Sequence, residues 1–313
     1  MTLPIRPPAL AAGDVVGVVA PSSPVMADRL SAGVRVLERW GLRVRVGDHV
    51  LARAHDDILA GSDDQRARDL EQAWTAPDVR AVFCARGGYG AERIIDHLDW
   101  TAMAAAGPKV LVGSSDVTAL HTVWGRRLGL VTLFGPMTAS ELFAGDGADE
   151  PSREFLRDLL FTPATVDRVV AEGPRPATRE NLGQAVRGRL VGGTLSLVAA
   201  AIGTPDSTPA RSAVAFLEDV GEQPYRIDRL LTQLLRSGWF DAVRGVALGS
   251  FHDCGDVAAV VEDRLGPLGI PVVAGFPVGH GHRQLTLPLG LDVELVPRRG
   301  ELRFSRPPLA PRH

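Results

Sequence analysis

Gly113-Ser114-Ser115-Asp116 follows the short apolar run 110–112 and precedes 117–121, which reads as a helix. A serine at a strand-to-helix turn projects its hydroxyl from a sharp bend, as a nucleophile must. The next backbone N–H, that of Asp116, opens a helix and can face the oxyanion of an acyl-transfer intermediate. The tetrapeptide is not G-x-S-x-G, so a second reading stands beside the first, in which Ser114 or Ser115 only caps the helix. A carboxylate comes next: the apolar run 213–217 ends in Glu218-Asp219. An acid at a strand's carboxyl end is placed to orient a histidine, or equally to cap or salt-bridge the helix that follows. His280 stands in the glycine loop Gly279-His280-Gly281-His282. Imidazole is the side chain whose ordinary pKa suits proton shuttling near neutrality.

Other chemistries fit these residues less well. His280 and His282 could form a metal pair on an extended segment. That needs further ligands, and His49, His55, His97, His121 and His252 have no ligand-like spacing with them, so no metal is expected. Arg86-Gly87-Gly88-Tyr89-Gly90 can bring backbone N–H groups close to a phosphate or an oxyanion. Its spacing is not G-x-G-x-x-G, which argues against a nicotinamide or flavin, and no cofactor is expected. Cys84 is a rival nucleophile, but only Arg86 is near in sequence to lower its pKa, and a buried core thiol is the better reading. Lys109 is the only lysine. Lying between Pro108 and Val110, it excludes a P-loop, and its place at the start of a strand is wrong for Schiff-base chemistry. His121 reads as packing on its helix and His282 as a surface residue.

A chain of 313 residues is long for one core, so two domains are expected. The net charge of −3, with acids and bases interspersed, leaves no basic footprint for nucleic acid or a membrane surface. Residues 1–12 lack an apolar segment behind a basic stretch, no run approaches a bilayer span, and the two cysteines suit a reduced compartment. The expectation is a cytoplasmic protein.

The elements that must hold these residues follow from patterning. Short β-branched runs at 15–20, 42–46, 79–84, 110–112 and 131–134 alternate with helical patterns at 27–40 and 62–74, which predicts parallel strands with crossover helices. Sites in such sheets gather at the strands' carboxyl ends, so residues 20–23, 85–90 and 113–116 should converge. The stretch after 160 is rich in turn formers and reads as a crossing between domains. Beyond it come helices at 195–202 and 227–235 and strands at 214–217, 245–248, 272–274, 293–296 and 302–304. The fold class expected is α/β, with a Rossmann-like parallel-sheet domain over 1–162, a linker over 163–185 and a smaller mixed, β-rich domain over 186–313. The tail 306–313, with three prolines, reads as poorly ordered.

Taken together and in order, Val18-Val19-Ala20-Pro21-Ser22-Ser23, Arg86-Gly87-Gly88-Tyr89-Gly90, Gly113-Ser114-Ser115-Asp116, Gly192-Gly193-Thr194-Leu195, Phe216-Leu217-Glu218-Asp219 and Gly279-His280 with Thr286-Leu287-Pro288 resemble the LD-carboxypeptidases. That serine peptidase family also contains the microcin C self-immunity peptidases. The resemblance spans nearly the whole chain. It implies Ser115, not Ser114, as nucleophile, Glu218 as triad acid and His280 as base. It further implies the N–H groups of Asp116 and Gly88 as the oxyanion hole, with Arg86 a candidate for the substrate carboxylate. The implied substrate is a cytoplasmic murein tetrapeptide that loses its terminal D-alanine, and the implied assembly is a homodimer. An immunity-type peptidase acting on aminoacyl or peptidyl nucleotide analogues is the alternative. A non-catalytic protein closing on a small anion is a more distant one. Three residues depart from the family pattern: Ser114 where an aromatic is common, Thr194 where asparagine is frequent, and Phe134 where histidine is often seen.

Overall fold

The computed structural model describes residues 3–173, 175–176, 184–207 and 210–312. Residues 174 and 177–183 of the turn-rich crossing lie outside the described residues, as does His313. The first half contributes strands β1 (Val15–Val19), β2 (Arg43–Val46), β3 (Val79–Cys84), β4 (Val110–Gly113) and β5 (Thr132–Phe134). The second half contributes β6 (Arg168–Val170), β7 (Arg175–Pro176), β8 (Val186–Thr194), β9 (Ala213–Val220), β10 (Gly245–His252), β11 (Val272–Ala274), β12 (Leu287–Leu289), β13 (Asp292–Val296) and β14 (Glu301–Phe304).

Two sheets result, one in the order β12-β5-β4-β3-β1-β2 and the other β6-β14-β13-β8-β9-β10-β11-β7. In the first, β1 to β5 pair in parallel, and β12 closes the edge antiparallel to β5. In the second, β8 to β11 are parallel, with antiparallel strands on either side. The protein is therefore α/β with a parallel-sheet N-terminal half and a second sheet, as the alternation predicts. The reason is visible in β1 and β4, whose residues are all buried: a strand covered by helices on both faces reads as a continuous apolar run.

Helices cover both faces of the first sheet. Ala27–Arg39 packs Leu30, Val36 and Leu37 on one side. On the other, Asp63–Thr75 begins at a capping box made by Ser62 and Gln65 and buries Leu70 and Trp74. The two halves are joined through the β12–β5 pairing and through Phe134, whose ring meets Phe216 of β9 edge-on at 5.4 Å. Phe134 is thus a core residue. The tail is docked, contrary to its proline-rich appearance: Leu309 is fully buried in the first core, and the Ala310 N–H donates to Pro7 at 2.8 Å. Among the described residues no helix is long and apolar enough to cross a membrane.

Candidate active site

The loops after β1, β3 and β4 converge, as their strand ends require. Ser23 N donates to the Gly87 carbonyl at 3.2 Å, and Ser23 Oγ accepts from Tyr89 N at 3.1 Å. The Asp116 carboxylate, buried under the same loops, accepts from Ala91 N at 2.8 Å. Burial pushes the Asp116 pKa up, against the hydrogen bonds and the Arg66 charge that favour its ionised form. Asp116 therefore ties the Ser115 turn to the glycine turn.

Ser115 sits at φ 59°, in the left-handed region that costs a non-glycine residue about 1–2 kcal/mol. Ser114 is extended, at φ −154°, almost fully buried, and makes no side-chain cap hydrogen bond. A helix cap would have an extended backbone and a side-chain bond to the first turn. Ser115 has the wrong backbone for that role and Ser114 lacks the bond, so the cap reading loses its physical basis. Gly87 lies against Ser115: a Cβ built on Gly87 would stand 3.1 Å from Ser115 Oγ and 3.4 Å from Asp116 N. Glycine is required there by close approach.

The candidate acid lies on β9 of the second sheet, and the candidate base lies in the loop between β11 and β12. Glu218 belongs to β9, which runs past 217 to include both carboxylates, and it is fully buried. His280 Nδ1 is 2.7 Å from Glu218 Oε2, and Thr194 Oγ1 donates to Glu218 Oε1 at 2.5 Å. Burial acts to lower the His280 pKa, but the Glu218 hydrogen bond and charge, with Asp219 adding, outweigh it and leave the imidazole raised. Asp219 itself is pushed up to about 6 by burial, with the neighbouring Glu218 charge adding to the effect. It accepts from Ser196 N at 2.8 Å, at the start of the helix Leu195–Ala200.

Gly279 explains the glycine before the histidine. Its φ is +107°, and a Cβ there would fall 2.4 Å from Glu218 Oε2. Gly279→Ala should therefore push Glu218 away from His280 and lower turnover on the order of 100-fold, the usual consequence of misplacing a reacting group by about 1 Å. Steady-state kinetics alongside circular dichroism checks this.

The remaining candidates separate clearly. The exposed Arg86 donates to the Pro24 carbonyl at 2.8 Å and so staples the β1 loop to the glycine turn. Gly88, at φ +108°, packs on the Ser23 side chain, next to Gly87. Cys84 is fully buried and burial raises its pKa, which removes it as a nucleophile. His282 is mostly exposed and meets Glu172 at 3.3 Å, away from the Glu218 that holds His280. Lys109 donates to the Ala76 carbonyl at the start of β4, and burial lowers its pKa to about 8. His121, driven down to about 4 by burial, places Nε2 2.9 Å from the Gly113 carbonyl, at the base of the Ser115 turn. A cavity of about 220 Å³ between the halves is lined by His121, Arg126, Val198 and Trp239 among others, and by no triad candidate.

Arg66 is the residue that sequence reading overlooks. Its buried guanidinium donates to the carbonyls of Pro21 and of Gly90 (2.7 Å for the latter) and pairs with Asp63. From the helix Asp63–Thr75 it thus clamps the loops after β1 and β3. Only the Asp63/Arg66 spacing within one helical turn hints at it. Arg66→Leu would orphan two buried carbonyls and should cost about 3 kcal/mol of unfolding free energy, measurable by urea denaturation.

The N-terminal domain family of LD-carboxypeptidases matches residues 16–135, and its C-terminal domain family matches 187–295. The chain belongs to the LD-carboxypeptidase family. This LD-carboxypeptidase family member is accordingly a serine-type carboxypeptidase, a hydrolase. It is 52% identical over 311 residues to a Streptomyces coelicolor protein named as a carboxypeptidase, with 97% of each chain covered. It is 36% identical to the murein tetrapeptide carboxypeptidase of Pseudomonas aeruginosa, over 91% of this chain and 94% of that one. Among solved structures, the muramoyltetrapeptide carboxypeptidase of Oxalobacter formigenes superposes with a TM-score of 0.80 at 30% identity, covering 94% of this chain and 99% of that one.

Proposed function

We propose that this carboxypeptidase hydrolyses an L,D peptide bond and releases the terminal D-alanine of a murein tetrapeptide, using Ser115, His280 and Glu218 as its triad. The observation that carries the reading is the 2.7 Å contact between His280 Nδ1 and the buried Glu218, taken with a serine held at φ 59° in the turn after β4. In the reaction, Ser115 Oγ attacks the scissile carbonyl carbon while His280 Nε2 takes its proton. Glu218 keeps Nδ1 protonated and stabilises the imidazolium. The N–H groups of Asp116 and Gly88 receive the oxyanion. The C–N bond then breaks, His280 gives its proton to the departing D-alanine nitrogen, and water hydrolyses the acyl-enzyme by the same path in reverse. No step calls for a metal or an organic cofactor.

The relatives that bear murein tetrapeptide names support the substrate class, and trimming of recycled stem peptides would place the enzyme in the cytoplasm; a homodimer is proposed on the family resemblance. Incubation with an L,D-tetrapeptide and chromatography for free D-alanine tests the proposal. Well-folded protein that releases none, while cleaving an aminoacyl sulfamoyl adenylate, would move the assignment to the immunity-type activity.

A further inference from the structure

Glu218 is fully buried, and each of its oxygens has a partner. The triad uses the one that faces His280. Thr194, which holds the other, has no role in the chemistry described so far. It ends β8 directly beside Glu218 in the β8–β9 register. It is almost completely buried, and its backbone N–H donates to Thr118 Oγ1 at 3.1 Å. Thr118 opens the helix that follows the Ser115 turn. One residue therefore touches the acid with its side chain and the nucleophile's helix with its backbone.

On the triad reading above, we propose that Thr194 is a positioning residue that locks the Glu218 carboxylate in rotation and sets its distance from the Ser115 turn. The terminal torsion of a glutamate is broad and roughly two-fold, so a carboxylate held through one oxygen can still rock about that bond. A second donor on the opposite oxygen removes the freedom. In the apolar surroundings of β9, loss of that donor would also leave Oε1 unsatisfied. The threonine hydroxyl has a single proton, and here it is given to Glu218.

The test is the rate at which a serine-directed phosphonate labels Ser115, read with steady-state hydrolysis of an L,D-tetrapeptide. Thr194→Val removes the hydroxyl at nearly constant shape. It should slow labelling and kcat roughly 10- to 100-fold, what a hydrogen bond to a buried charge is worth, with KM within about twofold of the parent. Thr194→Ser keeps the hydroxyl and should stay within about threefold of the parent. Should the valine variant fail to fold, Thr194→Ala removes the same hydroxyl without adding a methyl and is read in its place. Labelling of the hydroxyl-free variant at the parent rate would overturn the inference while leaving the triad intact, as would equal losses in the serine and the hydroxyl-free variants. A parent enzyme that takes no label at Ser115 would instead overturn the triad reading itself, and this inference with it.

Discussion

Ser115→Ala should lower hydrolysis by about six orders of magnitude and abolish covalent phosphonate labelling, with the fold unchanged. The size follows from the chemistry: without Oγ there is no acyl-enzyme, and only the oxyanion donors and substrate binding remain to assist water. Stability should respond differently. Alanine keeps the Cβ, hence the strain of φ 59°, and a partly exposed hydroxyl is lost, so the unfolding free energy should stay within about 0.5 kcal/mol of the parent. Ser115→Gly is the informative companion. Glycine adopts positive φ freely, so this variant should be inactive yet gain about 1 kcal/mol, which would identify the strain as held for function. Ser114→Ala, at a buried extended position, should retain both label and turnover. Intact-mass analysis after labelling and a urea titration decide the matter. A labelled Ser115→Ala, or an unlabelled Ser114→Ala, would transfer the nucleophile to the neighbouring residue.

Much of this arrangement is legible in the chain because its signals are local. Runs such as 15–19 and 110–113 carry no polar side chain, as doubly covered strands do not, and the turn residues at their ends mark where a site must lie. The strand β8 is not legible in that way. Val186–Thr194 carries two arginines and three glycines, reads as loop, and is held in place only by its partners β9 and β13. Thr194 inherits the same obscurity, since its contact with Glu218 crosses 24 residues of chain. Arg66 was hidden for another reason: a charged helical residue is normally solvated, and its burial follows from two carbonyls contributed by loops distant in sequence. The tail misleads in the opposite sense. Prolines remove backbone donors, but the fully buried Leu309 and the backbone bonds of Ala310 to Pro7 and Ala9 dock the segment.

Glu218→Gln should lower kcat/KM by roughly three to four orders of magnitude and move its acid limb to lower pH. Glutamine has nearly the same shape, so packing in β9 survives, and the change is one of charge and of donor count. The parent carboxylate accepts from both Thr194 and His280. The carboxamide has only one acceptor oxygen. If its NH2 group faces His280, Nδ1 must become the acceptor and Nε2 carries the proton, a tautomer that cannot deprotonate Ser115. If its oxygen faces His280, the tautomer is kept but the imidazolium loses its counter-charge. Both arrangements slow the reaction, and the pH profile reports the second effect. In the parent, burial lowers the His280 pKa and Glu218 more than offsets this, so the active neutral base appears only as pH rises through a value above the ordinary 6.5. With the charge removed, burial is less opposed and the limb falls. The sign for stability is consistent: a raised histidine contributes stability that is present below about 6.5 and is lost as pH rises through its folded pKa, so the parent's advantage over Glu218→Gln should grow on acidification across that window. A limb that stays put or moves upward would mean that Glu218 does not set the basicity of His280, and the acid of the triad would have to be sought elsewhere.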